Sequence, residues 1–300
     1  MEDIRLGIAL IVFVSIAMFC LTYRLLRDRS KIFMDFIAIV VVVLIVVYVQ
    51  TVWGQLWIVQ WIPLPSVIVL SNWFPPLLST LAASVWLRLD PAPLVRRVPV
   101  MVVMLAAAMY SLTYFIPSEP PECGNEWSRE MGLGLYPVCL QTTPHTCSAA
   151  AAATILSTLG FETSEQEMAE LCLTKSGTTW LGLYHGLSTK LLHSDFQVEF
   201  FEGGAETLRS LKTVGPVLLC CRLDEEIAEL KPEYVDHGGW IPGLAHSVVY
   251  FGEINERHVI GDPSRGYESW SSMDLNALWT GTGLKITRRP RAGAPRPDTP

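Results

Sequence analysis

Four long apolar runs dominate the first 117 residues, and none alternates with a period of two. Residues 4–23 are apolar apart from Arg5 and a few hydroxyls, and 32–52 contain the unbroken IVVVVLIVVYV. Residues 66–87 continue through Pro75-Pro76, and 98–116 carry no charge. A helix that crosses a bilayer needs about 20 mostly apolar residues. The pattern therefore predicts four transmembrane helices, about 4–23, 32–52, 66–87 and 98–116, the third kinked at Pro75-Pro76. The first run is longer than a signal-peptide core and no small-residue cleavage site follows it, so it is expected to stay in the chain. After residue 117 the pattern changes. PSEPPECGNEW begins a Pro/Glu-rich linker over 118–135. Beyond it come helical stretches at 147–159, stopped by Gly160, at 164–173, opened by Ser164 and Glu167 as a capping box, and at 178–192. Strand patterns follow at 197–201 and 215–223, with a hairpin of 245–251 and 258–261 around 253–256. The fold class expected is a membrane α-helical N-terminal half joined to an α+β domain at 136–286, with a disordered tail from 287 to 300.

Charge sharpens this division. Residues 1–117 hold eight Lys/Arg and five Asp/Glu, net +3; the remainder holds 14 and 24, net −10, which sums to the −7 of the whole chain. The acidic half excludes nucleic acid as a partner, because phosphates need a basic face. Within the apolar half, Arg24, Arg27, Arg29 and Lys31 fall between the first two runs, and Arg88, Arg96 and Arg97 between the last two. The segment 54–65 has no charge and carries Trp57 and Trp61. The positive-inside rule places both basic loops in the cytoplasm and both termini, with the 136–286 domain, outside it on the periplasmic side. Asp35, the one acid within a span, is read as solvated near the interface rather than as part of an ion path.

The chemistry concentrates in YPVCLQTTPHTCSAAAAATILSTLG. Thr146 is a natural N-cap, and Cys147 then lies in the first turn of a helix whose run of alanines permits close packing. A helix N-terminus favours the thiolate, which is the reactive form of cysteine. Gln141, six residues upstream, can fold back beside the Cys147 N–H as an oxyanion donor. His246 begins one hairpin strand and Asp262 ends its partner, which brings an imidazole base and an orienting carboxylate to one end of the sheet. Helix-borne Cys, strand-borne His and strand-end Asp, in that order, form the papain-like arrangement.

Gln141-x5-Cys147, the small-residue helix ending in Leu-Gly, GPV, and AHSVVYFG…VIGDPSRG together resemble the bacteriocin-processing, double-glycine leader peptidases, cysteine peptidase family 39. The resemblance spans roughly residues 136–286. It implies that Cys147 is the nucleophile, His246 the base, Asp262 the orienting acid and Gln141 the oxyanion donor, with no cofactor. It also implies peptide or leader substrates with small residues before the cut. Where that family often has Asp-Cys-Gly, this chain has Thr146-Cys147-Ser148. Its exporter members carry the domain at the N-terminus, in the cytoplasm and ahead of an ATPase. Here it follows the membrane runs, and the chain has no GxxxxGK[ST] motif, so any exporter would be a separate partner.

The other histidines read as structural: His145 and His237 in loops, His185 and His193 on helices, His258 on a strand. None has metal-ligand spacing with a cysteine, so no metal is expected. Cys20, Cys172, Cys220 and Cys221 read as apolar positions. Cys123 and Cys139, 16 residues apart, are candidates for a disulfide in an extracytoplasmic domain. The sequence thus points to a cysteine peptidase anchored in the lipid bilayer. Two alternatives stay open: an acyl transferase of the transglutaminase type, and a catalytically silent module that binds peptides beside a membrane partner.

Overall fold

The computed structural model describes residues 2–90, 93–113, 115, 119–128, 136–211, 215–236 and 239–289. Two compact units divide the chain, 1–58 with 64–117 and 59–63 with 118–300.

The first unit is helical: α1 (Glu2–Leu26), α2 (Lys31–Thr51), α3 (Val67–Leu70), α4 (Phe74–Arg88) and α5 (Leu94–Thr113). Counting α3 and α4 as one stretch, four helical segments are long and apolar enough to cross a membrane. Outward positions such as Leu6 and Phe13 on α1, Ile32 and Ile39 on α2, and Val103 on α5 are exposed apolar side chains, a surface suited to hydrocarbon.

Two expectations are corrected here. The third run breaks at 71–73 rather than at the prolines, which occupy the first turn of α4, where a missing N–H costs no helical bond. Polar side chains satisfy the interrupted backbone. The Tyr48 hydroxyl donates to the Ser71 carbonyl at 2.6 Å and accepts from the Trp73 N–H at 3.1 Å. Asn72 accepts from the Phe74 N–H at 3.3 Å and donates to the Ser111 carbonyl at 3.3 Å. Such pairing is what lets a helix break inside an apolar bundle. Second, the last helix starts at Leu94 rather than 98 and takes in Arg96 and Arg97. Arg97 is held there by Asp90 at 3.2 Å and by the Trp86 ring, 4.0 Å from its guanidinium. Asp35, about half exposed, is also paired: Arg88 Nε, itself half exposed, lies 2.7 Å from its Oδ1. That contact joins the start of α2 to the end of α4, so the two basic loops share one end of the bundle.

The second unit contains β1 (Glu126–Trp127), β2 (Cys139–Leu140), α6 (Cys147–Thr158), α7 (Glu165–Leu171), α8 (Trp180–Lys190), β3 (Phe196–Glu202) and α9 (Ala205–Ser210). It continues with β4 (Val217–Arg222), α10 (Glu225–Leu230), α11 (Glu233–Asp236), β5 (Ala245–Ile254), β6 (Arg257–Asp262), β7 (Gly266–Trp270), α12 (Ser272–Leu278) and β8 (Trp279–Arg288). Six strands form an antiparallel sheet in the order β3-β8-β4-β5-β6-β7. Val217, Leu219, Cys221, Val248, Tyr250 and Ile260 share one buried cluster with α9 and α12, as the period of two in strands requires. The helix α6 packs against β5, α7 and α8. Its alanines 149–153 are fully buried, and only side chains that small let a helix sit so close.

The hairpin is tighter than the sequence suggested. β5 runs to Ile254, and Asn255 and Glu256 turn the chain at φ 49° and 62°, the pair of positive angles that marks a type I′ turn. The tail also starts later than 287. Strand β8 reaches Arg288, and the Arg289 N–H bonds the Asp195 carbonyl at 2.7 Å; residues 290–300 lie outside the described residues. Part of the 118–135 segment belongs to the sheet-bearing unit. β1 pairs with β2, and the Cys123 N–H donates to Gln166 at 3.0 Å. Cys123 and Cys139 are free thiols, not a disulfide. His193 lies in a turn beyond α8 instead of on a helix.

Candidate active site

Cys147 is the first residue of α6, as the alanine run predicted, and is 8% exposed. Thr146 occupies the cap position, but its side chain makes no capping bond; its hydroxyl donates to the Thr143 carbonyl at 3.1 Å instead. Thr143 and Thr146 thereby tie the loop 141–146 to itself. Ser164 does cap α7, accepting from the Glu167 N–H at 3.1 Å. The reciprocal half of the expected box is absent among the contacts of Glu167, whose carboxylate goes to Lys190 at 2.5 Å and Thr163 at 2.9 Å.

Ser148 raises the question of why the position after the thiol is not glycine. Its backbone is helical and requires no left-handed angle. Its hydroxyl meets that of Ser247 at 2.8 Å, both side chains buried. A hydroxyl pair thus bolts the N-terminal turn of α6 to β5, one residue after His246. The Ser247 N–H and the Ser148 hydroxyl, 3.9 Å from Sγ, also face the sulfur.

His246 and Asp262 meet as the register requires. Val249 pairs with Gly261, so Asp262 falls opposite Val248, on the strand face that His246 shares. His246 Nε2 lies 2.9 Å from Asp262 Oδ1, with the two side chains 6% and 0% exposed. The other ring nitrogen, Nδ1, is the one left for the thiol. Asp262 is satisfied on every side: Ser264 donates to Oδ1 through its N–H at 2.8 Å and its hydroxyl at 2.7 Å, and the Trp240 indole N–H donates to Oδ2 at 2.7 Å. Gly261 keeps this strand end seated. A Cβ there would stand 2.7 Å from the Phe251 ring and 3.0 Å from Val138.

The electrostatics follow from this packing. Burial works to raise the Cys147 thiol, but the charge and hydrogen bond of His246, with the Ser247 N–H and Ser148, hold it below the ordinary value of 9.0. Burial works to lower His246, and the charges of Asp262 and Cys147 hold it above 6.5 instead. Asp262 is kept below the usual carboxylate range: burial opposes this, and His246 and Ser264 prevail. The other four buried cysteines go the opposite way. Burial pushes Cys139 and Cys220 up to about 12 and drives Cys172 and Cys221 well above the ordinary range. Cys147 is the one buried thiol held below its ordinary value, and the imidazole that holds it there is itself held above its own.

Gln141 lies on the loop before α6, and its backbone N–H donates to the Pro263 carbonyl at 2.7 Å, beside Asp262. Its side-chain Nε2 donates to the Thr143 carbonyl at 3.2 Å, and its Oε1 is buried without a partner among the described residues. The amide therefore lies in the right loop, but no contact joins it to the thiol. Buried Glu165 fixes that loop, accepting from the Thr142 N–H and hydroxyl, each at 2.8 Å.

Reading the sequence alone misses Trp240, Ser247, Ser264 and Glu165. Asp262-Pro263-Ser264 is the legible one, because Asp two residues before a backbone N–H is an Asx-turn signature. Nothing in the sequence ties Trp240 to a carboxylate 22 positions away. His185 is buried with Nδ1 2.7 Å from the Leu171 carbonyl, His258 is buried against Ser272, His193 is exposed and His145 half-buried; His237 lies outside the described residues. No cluster of three His, Cys, Asp or Glu that could hold a metal occurs among the described residues.

Solved structures similar to this chain include C39-type peptidase domains. The peptidase domain of Streptococcus ComA, a bifunctional ABC transporter in a quorum-sensing pathway, is 21% identical, covering 50% of this chain and 96% of that one at a TM-score of 0.39. A double-glycine-motif protease from an AMS/PCAT transporter, solved with a leader peptide, is 13% identical over 56% of this chain and 94% of that one, with a TM-score of 0.35. The N-terminal C39-like peptidase domain of a toxin-secretion ATP-binding protein from Vibrio parahaemolyticus is 14% identical over 48% and 98%, with a TM-score of 0.33. No protein-family model matches the chain, nor does any curated protein sequence.

Proposed function

We propose that this chain is a membrane-anchored cysteine peptidase acting through Cys147, His246 and Asp262. One observation carries the reading: of five buried cysteines, the single thiol held below its ordinary value is the one beside a histidine that is itself bound to a buried carboxylate at 2.9 Å. Cys147 Sγ attacks the peptide carbonyl, and the oxygen takes up negative charge. That oxygen is met by helix N-terminal N–H groups, Cys147's among them, which have no intrahelical partner. Gln141 adds its second amide hydrogen once its side chain turns toward the thiol. His246, as imidazolium, gives its proton to the leaving amine, and the C–N bond breaks to leave a thioester on Cys147. His246 then takes a proton from water, which attacks the thioester and releases the carboxylate product. Asp262 keeps the imidazole turned with Nδ1 toward the sulfur throughout.

Cys147 and His246 are only 8% and 5% exposed, and so narrow an approach favours a peptide or leader with small side chains at the scissile bond. A separate exporter is the partner such a leader implies. The four apolar helices anchor the chain in the bilayer, with the basic loops that Asp35 and Arg88 bring to one end lying in the cytoplasm and the peptidase unit on the far side. A cysteine replacing exposed Met273 should then react with a membrane-impermeant thiol reagent in intact cells; reaction only after lysis would put the unit in the cytoplasm. The function itself is tested by incubating the full chain in detergent with Gly-Gly-containing leader peptides in ¹⁸O-water. Two fragments are expected, with the heavy oxygen in the new carboxylate. A product acylated on an added amine, without ¹⁸O, would make the protein a transferase.

A further inference from the structure

Trp240 takes no part in the mechanism above, yet it makes two contacts with the His246–Asp262 pair. Its indole N–H donates to Asp262 Oδ2 at 2.7 Å, and its ring lies over the His246 imidazole with centroids 4.1 Å apart and planes inclined by 35°. The indole is 2% exposed and is held from behind by Tyr234 and Trp270, at centroid distances of 5.3 Å and 6.1 Å. Its own backbone N–H bonds the Tyr234 carbonyl at 3.0 Å. The ring therefore has one orientation available to it.

The carboxylate needs such a partner. His246 and both donors of Ser264 all converge on Oδ1, so those contacts leave Asp262 free to pivot about that oxygen. Trp240 holds the other oxygen and stops the pivot. The same ring covers one face of the imidazole, where a cation gains from an aromatic surface and from the exclusion of water.

We infer that Trp240 is a positioning residue that fixes the Asp262 carboxylate and roofs the His246 imidazole, setting how tightly that imidazole holds its proton. The inference rests on the peptidase reading only for its effect on turnover. The groups facing His246 are Asp262 from β6, Cys147 from α6, Cys221 directly across on β4, and Glu268 on β7 with its Arg265 partner at 2.8 Å. Trp240→Phe leaves all of these in place and keeps an aromatic ring beside the imidazole; it deletes the N–H and, being smaller, also opens some space among Tyr234 and Trp270, which is why the test reads a pH profile and not stability. A hydrogen bond donated to a carboxylate stabilises its charge and so makes the His–Asp couple less basic. Deleting the bond makes the couple more basic, and the imidazolium becomes a weaker acid toward the leaving amine.

The test is alkylation of Cys147 by iodoacetate across pH, read by mass spectrometry on the full chain in detergent. This anionic reagent reacts fastest when thiolate and imidazolium coexist, so the alkaline limb of its profile reports the imidazolium without any peptide substrate. In Trp240→Phe that limb is expected to move up by about one pH unit, the lower end of what one hydrogen bond to a charged group supplies. In peptide cleavage kcat should fall roughly 10-fold with KM unchanged, because the buried indole does not face substrate. A limb that stays put in Trp240→Phe, whether or not the melting temperature drops, would overturn the inference and leave Trp240 a packing residue. A limb that moves in a protein that cleaves no peptide would uphold the role of Trp240 and remove the peptidase reading instead.

Discussion

Cys147→Ala is expected to abolish peptide cleavage, by at least about 10⁴-fold, while the protein keeps its fold. Loss of a triad nucleophile removes the covalent route altogether, and what survives is the small rate assistance of binding and oxyanion contacts. The fold should tolerate the change because alanine is the best helix former and positions 149–153 of α6 are already fully buried alanines. Cys172→Ala is the matched control. That thiol is also buried and packs against α8 at Gly186, where an added Cβ would lie 2.3 Å from its Sγ. Burial drives its thiol well above the ordinary range. Its loss should lower stability and spare cleavage. If Cys147→Ala cleaves normally, the nucleophile lies elsewhere and the reading fails.

The contrast between these two cysteines explains how much the sequence could yield. Cys147 was legible because local rules converge on it: a threonine before the helix, alanines after it, a Gly stop at 160. His246 and Asp262 were legible because a hairpin has a fixed register, so residues near the two strand ends meet. Cys172 read as core for want of any such convergence. What escaped was tertiary. Strands β7 and β8 carry glycines and polar residues in place of a clean apolar alternation, and β8 finds its place only between β3 and β4. The Ser148–Ser247 pair joins residues 99 apart, and the Trp240 bond to Asp262 depends on an aromatic cluster assembled from three segments. In the apolar half, the four runs could be read because length and hydropathy suffice to identify them. The break at 71–73 could not be, since it depends on Tyr48, Asn72 and Ser111 meeting across three helices.

In the proposed mechanism the His246 imidazolium overcomes the cost of burying a thiolate at Cys147. Removing the imidazole leaves that cost unopposed. In His246→Ala the thiol should therefore move from below its ordinary value to above it, where Cys139 and Cys220 already lie at about 12. The activity that depends on the ion pair should disappear with it. The measurement is the rate of Cys147 alkylation by neutral iodoacetamide as a function of pH, followed by mass spectrometry in the wild-type chain and in His246→Ala. Wild type should show a midpoint below the ordinary thiol value. His246→Ala should react on the order of 100-fold more slowly at neutral pH, since each pH unit by which the thiol is raised removes a factor of ten in thiolate, and should recover only in alkali. Equal rates in the two proteins at neutral pH would contradict the claim, and with it the assignment of Cys147 and His246 as a catalytic pair.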